Sequence, residues 1–557
     1  MFDPFQEGFT EKKNTIRYLN RLILDIKNDL HKGKTVICLF LDFEKAFDSV
    51  WKKGLIVKLF RLGFRGNFLK LVDHFLNSRK VCLNVNSNKG DIIHCSEYGL
   101  PQGSVMSPIL FKIFMLDFLS DFNEANTNIY KFADDGSVKI SGDTTAECLT
   151  RLEKVLDALN TWAKKWRMVI NCQPNKTEVI CFGTAENNRN LIPTEFKLGS
   201  QTIKLVKFTK VLGITIDEDL SFIEHSKQVY KKLTTRWNII QMYCNRNWGF
   251  SQRVMVELTR TLFLSCLLYG SHLWMNKNNM KEINSLYYKL LKTSIGSVFN
   301  TRQSIIEIIV GLPPITIQNK MNQIKHYLKI IMNNVPDDLL KQCIQKMTQN
   351  NPPTELKITL RSVYKFLKWK MQQTPNKFLD SDRQIIEENR ISSFHLLSPI
   401  CAEYTKLEVN KYTEILWGDS LRNEFQLEGH STILHPRCSQ LPLDPKINRS
   451  TEVKIISLFY ENNLLNSFLY RHNIPGVDSP LCTCGKEDQT AHHFLTRCEL
   501  VAANLREKAR DSIQNAGIVV ENSVELLNLS RNENFMNILV DIMNAHGDIL
   551  RNDIVLS

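Results

Sequence analysis

Residues 128–140 read NIYKFADDGSVKI. Two short apolar runs flank Asp134, Asp135 and Gly136, a pattern that predicts a β-hairpin with two acids at its tip. Upstream, VICLFLDF at residues 36–43 is β-branched and aromatic and too short for a helix, so it predicts a buried strand with Asp42 near its end. Adjacent antiparallel strands of one sheet would set Asp42 beside Asp134 and Asp135, although the two segments are far apart in the chain. Three such carboxylates suit two Mg²⁺ ions about 3.5–4 Å apart, which lower the pKa of a hydroxyl nucleophile and neutralise a triphosphate.

Further elements surround this pair. The stretch YGLPQGSVMSPILFKIFMLD, residues 98–117, opens with Gly and Pro turn signals and then becomes apolar, predicting a loop that feeds a helix with Ser107 as N-cap and Pro108 at its first position. Phe68, Leu69, Val72, Phe75 and Leu76 form the packing stripe of a helix over 67–78. Thr144 and Glu147 form a capping box before a helix whose Leu149, Leu152, Leu156, Leu159, Trp162 and Trp166 follow helical spacing. Strand pattern returns over 203–217, and beyond about residue 225 the chain reads as mostly helical. Pro336, Pro352 and Pro353, with the polar run 348–351, predict a linker near 350.

Composition bounds the class. The chain has 557 residues, 43% hydrophobic and 23% charged, the balance of a globular protein long enough for more than one core. Lys and Arg exceed Asp and Glu by 71 to 58, a net charge of +13 that suits a polyanionic partner held through phosphates. No apolar run approaches the 18 or so residues of a membrane span, and Met1-Phe2-Asp3-Pro4 is not the start of a secretory signal. Fourteen Cys without a paired framework predict reduced thiols in an intracellular protein. One cluster is dense enough to mean more. Cys482, Cys484, His493 and Cys498 make a Cys₃His set able to close a tetrahedral Zn²⁺ site, with Gly485 for the tight turn and His492 as the alternative to His493.

In that order and spacing, LDFEKAFDSVW (41–51), GLPQGSVMSPILF (99–111), FADD (132–135) and NKTEVICF (175–182) resemble the consecutive palm motifs of non-LTR retrotransposon reverse transcriptases, in detail those of jockey-like LINE elements. KVLGITIDEDLSFIEH (210–225) and RTLFLSCLLYGSHLW (260–274) resemble the primer-gripping hairpin and the helix after it. The text from 464 to 498 resembles the cysteine and histidine tail of such polymerases. The resemblance implies an α+β right hand: partial fingers and palm over 1–200, thumb and connection over 201–345, a helical region of unassigned role over 346–470, and a zinc-knuckle tail over 471–557.

It also implies an RNA-directed DNA polymerase, a nucleotidyltransferase that extends a DNA primer or nicked target DNA on an RNA template with dNTPs. Asp42 and Asp134 would bind the two Mg²⁺ ions with Asp135 in support. Phe47 would be the steric gate against a 2′-hydroxyl, Gln102 and Gly103 would line base and template, and Lys176 would act on the leaving pyrophosphate. QEGFTEKKNT (6–15) resembles a finger motif, but Thr10 stands where the family has an arginine over the triphosphate, so Lys12 or Lys13 would have to compensate. The family's upstream endonuclease is expected to be separate or missing, so the nick would come from elsewhere. A truncated or inactive copy that binds RNA without catalysis is the alternative reading. Nuclear and cytoplasmic locations are expected, with no membrane association. Lys204, Lys207, Lys210, Lys231, Lys232 and Arg236 could follow a duplex backbone.

Overall fold

The structure, a computed structural model, describes residues 5–550 apart from 86–87, 95–96, 121, 123, 184–191, 246–247, 277, 298–300, 333–338, 350–353, 428–435, 438–440, 444–446, 460–464, 472, 474–476, 519–524, 531 and 547–549. Helix and sheet are mixed, and the chain forms two compact units. One comprises residues 1–225, 327–364 and 374–402, the other 226–326, 365–373 and 403–557. Among the described residues no helix is long and apolar enough to cross a membrane.

In the first unit, helix α1 (Thr15–His31) starts where the Asn14 side chain accepts a hydrogen bond from the amide of Arg17 at 2.9 Å. Strand β1 (Thr35–Leu41) follows, then α2 (Lys52–Arg61), α3 (Asn67–Asn77), the pair β2 (Lys80–Val85) and β3 (Asn88–His94), and α4 (Met106–Phe114). The hairpin β4 (Thr127–Phe132) and β5 (Asp135–Gly142) leads into α5 (Thr145–Trp166). Strands β6 (Glu178–Phe182), β7 (Glu195–Leu198) and β8 (Gln201–Leu205) complete a sheet of order β4-β5-β1-β6-β8-β7, antiparallel except where β6 meets β8. A separate hairpin, β9 (Phe208–Val211) and β10 (Ile214–Asp217), closes the run of strands.

The apolar run of β1 is central because both its faces are covered. Ile37, Leu39 and Leu41 share a core with Val138 and Ile140 of β5 and with Leu152, Leu156 and Leu159 of α5. On the side of α1, Ser137 of β5 accepts a 2.6 Å hydrogen bond from the Tyr18 hydroxyl, and Lys139 ion-pairs with Asp25 at 3.1 Å and Asp29 at 2.6 Å. Burial alone would discharge Lys139, but the two carboxylates hold its pKa above the ordinary lysine value.

Three local expectations change. Helix α4 begins at Met106, so Ser107 is not its N-cap: Ser107 is buried and donates to the Pro101 carbonyl at 2.6 Å, while the Ser104 hydroxyl accepts from the Met106 amide at 3.2 Å. The loop needs Ser107 to tie it back, and the shorter reach to an amide falls to Ser104. In α3 only Val72 and Leu76 are buried, and Phe68 is 43% exposed, so the packing stripe is narrower than its apolar spacing suggests. The polar run at 348 begins inside a helix, Leu339–Gln349, where Thr348 donates to the Gln345 carbonyl; Pro336, Pro352 and Pro353 lie outside the described residues. The capping box holds at Thr144, which accepts from the Glu147 amide, although the Glu147 carboxylate accepts from Asp143.

Among its described residues the second unit contains helices and no sheet strand. The run Gln252–Leu267 is helical, with a π turn at Thr259–Leu264. Arg449 is buried and donates to the Thr293 and Ser294 carbonyls at the end of helix Lys281–Ile295, while its partner Glu452 accepts from the Gln252 amide at the start of another helix. This pair satisfies groups that each helix leaves open.

Lys139→Ala would leave two carboxylates buried without their cation. It is expected to destabilise the protein by about 3–5 kcal/mol, the range for breaking a buried ion pair, measured by urea unfolding. A loss under about 1 kcal/mol would contradict the packing of α1 described above.

Candidate active site

The antiparallel register of β1 and β5 ends with Leu41 opposite Gly136. Asp42 and Asp135 each lie one residue beyond that last pair, and Asp42 acts electrostatically on both Asp134 and Asp135. The hairpin that presents Asp135 turns through Ala133 and Asp134, since Phe132 pairs with Asp135. Ala133 sits at φ +55°, so the turn is tight without a glycine, and Gly136 belongs to the strand.

Burial of the acids raises the pKa of Asp134 and Asp135 above the ordinary carboxylate range. Repulsion between the carboxylates adds to this: Asp42 acts on both, and Asp134 on Asp135, whose pKa is pushed up to about 6. Among the described residues, Lys176 is the cation acting against the rise on both acids. Its ammonium lies 3.4 Å from Asp42 Oδ2 and is nearly half exposed. Asn171 also donates to Asp42 Oδ2, at 3.1 Å, and the Asp42 amide donates to the Thr177 hydroxyl at 3.2 Å. Asn171 and Thr177 were not singled out by the sequence; their signal is proximity to Lys176 in the segment that enters β6. Carboxylate oxygens are the donor type that suits a hard divalent cation.

The other candidate residues have contacts of their own. The Phe47 ring stacks on Phe111 at 4.5 Å and meets the edge of Phe9 at 5.9 Å. Gln102 is exposed and donates to Asp48 Oδ1 at 3.3 Å. Gly103, beside it, has φ +88° with open space where a Cβ would stand, so its backbone conformation is what demands glycine. Lys13 donates to the Gln6 carbonyl at 3.4 Å, and Lys12 is an exposed residue at φ +62°. At Thr10 the nearby cation is Lys112, whose ammonium donates to the Thr10 hydroxyl at 3.1 Å and to the Phe9 carbonyl at 3.3 Å. Sequence reading missed Lys112 because it lies among the apolar residues of α4.

In the second unit Cys482, Cys484, His493 and Cys498 present ligand atoms within 4.8 Å of one another. Cys482 Sγ is 3.6 Å from Cys498 Sγ, and Cys484 Sγ is 3.2 Å from His493 Nε2. Gly485 turns the chain at φ +77°, and its amide donates to the Cys482 carbonyl. His493 belongs to the set, and His492 does not. The His493 Nδ1 lies 3.3 Å from Glu487 Oε2, which leaves Nε2 facing the sulfurs.

Residues 1–216 match the family described as "Reverse transcriptase (RNA-dependent DNA polymerase)". The RNA-directed DNA polymerase from mobile element jockey of Drosophila melanogaster is 26% identical over 64% of this chain and 39% of its own length. The putative 115 kDa protein in type-1 retrotransposable element R1DM of the same species is 23% identical over 86% of this chain and 41% of its own. The chain thus spans about two-fifths of the length of these relatives. Apo telomerase from Candida tropicalis aligns over 69% of this chain and 57% of its own with a TM-score of 0.28 and 10% identity, too slight a likeness to carry an argument.

Two predictions follow from the charge and thiol geometry. The pKa of Asp135 is higher in the folded state than the unfolded value of about 3.9, so stability falls as pH rises from there to about 6 and stays lower above it. Asp135→Asn is therefore expected to raise the melting temperature at pH 8 in a chelator by roughly 2–4 °C and to leave it unchanged at pH 4. Calorimetry showing no gain at pH 8 would refute the crowding of carboxylates. For the second unit, metal analysis should find one Zn²⁺ per chain, lost in Cys484→Ser together with part of the thermal stability. Residues 1–216 are thus similar to the reverse transcriptase family, and the chain is similar over part of its length to the polymerase of the jockey element.

Proposed function

We propose that the chain is an RNA-directed DNA polymerase of a non-LTR retrotransposon, which extends a DNA primer on an RNA template. The observation that supports this reading is the β1–β5 register, which ends at Leu41 and Gly136 with Asp42 and Asp135 each one residue beyond, beside the Asp134 turn. In this proposal residues 1–200 supply fingers and palm, 201–345 thumb and connection, 346–470 a helical region, and 471–557 the zinc-knuckle tail. Asp42 and Asp134 hold two Mg²⁺ ions, with Asp135 beside them, and the bound ions supply Lewis acidity to the primer hydroxyl and the triphosphate. The primer 3′-oxygen forms its bond to the α-phosphorus of a dNTP as the bond to pyrophosphate breaks.

The protein's side chains orient and exchange protons around that step. The Lys176 ammonium rests against Asp42 and is exposed enough to turn outward, so it can donate a proton to the leaving pyrophosphate oxygen. The Phe47 ring stacks on Phe111 and stands at a right angle to Phe9, contacts that restrain it where a ribose 2′-hydroxyl would come. Gln102 and Gly103 line the incoming base and the template. Lys12 and Lys13 stand near the triphosphate in place of the arginine absent at Thr10. Exposed Lys204, Lys207, Lys210, Lys231 and Lys232 follow the duplex, whereas Arg236 is partly committed to the Leu262 carbonyl. Cys482, Cys484, His493 and Cys498 hold Zn²⁺ as a structural knuckle that grips single-stranded RNA.

Primer extension on poly(rA) with oligo(dT) and Mg²⁺ tests the proposal. Asp134→Ala should lower incorporation by more than the roughly 100-fold at the upper end for changes outside a metal's direct ligands. Phe47→Ala should retain dNTP use and raise relative ribonucleotide incorporation at least about tenfold. Salt-dependent RNA binding without any incorporation by the wild type would overturn the catalytic reading.

A further inference from the structure

The N-terminal strap is bound to the turn that presents the acids. Gln6 forms a parallel bridge with Lys131, and the Glu7 amide donates to the Lys131 carbonyl at 2.8 Å, so the strap extends the sheet beyond β4. The Gln6 carboxamide then reaches the turn itself. Its Oε1 accepts from the Ala133 amide at 2.8 Å and from the Gly8 amide at 2.9 Å, and its Nε2 donates to the Ala133 carbonyl at 3.2 Å. Both backbone groups of the residue before Asp134 are therefore held by one buried side chain. Gly8 lies against the same backbone: a Cβ there would be 2.1 Å from the Ala133 nitrogen and 2.8 Å from its Cα. The strap is anchored in turn by Glu7, buried beside Arg17 and Arg21 of α1, with Arg21 Nη1 at 3.4 Å.

We propose that Gln6 is a positioning residue for the polymerase centre, and that Gly8 lets the strap approach closely enough for Gln6 to do this. The inference rests on the polymerase reading of Asp134. Ala133 occupies a backbone region that L-residues rarely adopt, and a turn so placed needs outside constraint to keep one geometry. The paired hydrogen bonds of Gln6 supply that constraint, as supporting groups do around metal ligands. A carboxylate freed to wander would bind a divalent cation more weakly without altering how the nucleotide or template is held.

The test uses the full chain with Gln6→Met, Gln6→Glu and Gly8→Ala. Gln6→Met keeps the volume and removes all three hydrogen bonds, whereas Gln6→Glu keeps the two acceptor contacts. For Gln6→Met and Gly8→Ala, the Mg²⁺ concentration giving half-maximal primer extension should rise about tenfold and kcat should fall about tenfold or more. The KM for dTTP should stay within about twofold, since uniform substrate binding is untouched. Mn²⁺ binding to nucleotide-free protein, followed by electron paramagnetic resonance, should weaken in parallel, and Gln6→Glu should fall between the wild type and Gln6→Met. Folded variants with wild-type Mg²⁺ requirement and wild-type Mn²⁺ binding would overturn the proposal, as would a loss seen only in melting temperature. If Gln6→Met does not fold, Gln6→Glu against wild type carries the same comparison. A wild type without cation-dependent extension would sink the polymerase reading, and the Mn²⁺ titration would still read the strap; an active wild type with unmoved variants would sink the strap alone.

Discussion

Antiparallel pairing of β1 with β5 is the constraint on which the candidate centre depends. Because side chains alternate along a strand, a slip of one residue would turn every core side chain of β1 to the opposite face. Ile37, Leu39 and Leu41 pack with α5, so burial of these residues holds the register that brings Asp42 and Asp135 to the same end of the strand pair. The carboxylates do not attract one another into place; apolar packing brings them together against their repulsion. Hydrophobic burial is large enough to do this, since each fully buried aliphatic side chain is worth about 1.5–3 kcal/mol.

Two groups of charges on the same sheet show how a structural cluster differs from a candidate site. Lys139 lies between Asp25 and Asp29, and Asp25 also accepts from Asn128 and Tyr130, so opposite charge and hydrogen bonds compensate its burial. That arrangement attaches α1 to the sheet. At the strand end, among the described residues, Lys176 is the cation that acts on both hairpin acids, and the pKa of Asp135 is pushed up to about 6. An uncompensated cluster persists where something else is meant to bind, which makes a perturbed acid a pointer to chemistry.

The cysteine cluster in the other unit illustrates the same principle with softer ligands. Three thiols and one imidazole converge through a turn at Gly485 and a short helix, Ala491–Thr496, capped by Thr490. Spacing alone left His492 and His493 as alternatives. The helix turns only His493 inward, and Glu487 fixes which ring nitrogen faces the sulfurs. No sequence pattern encodes that choice, because adjacent helical residues differ by about 100° in direction.

What the amino-acid order determined by itself was local: the buried strand at 35–41, the hairpin around Asp134, the capped helix at 145–166 and the Cys₃His spacing. Each is set by periodicity, turn chemistry or side-chain capping within a few residues, and so can be read along the chain. Tertiary structure decided which residues meet across long separations. It brought Asp42 to the strand end that carries Asp135, Lys176 against Asp42, Lys112 to the hydroxyl of Thr10 and Gln6 onto the backbone of Ala133. It also left Phe68 at the surface and drew Ser107 into the loop. Pairing and packing between distant segments are cooperative properties of the whole core, so contacts of this kind have no signature in either segment alone.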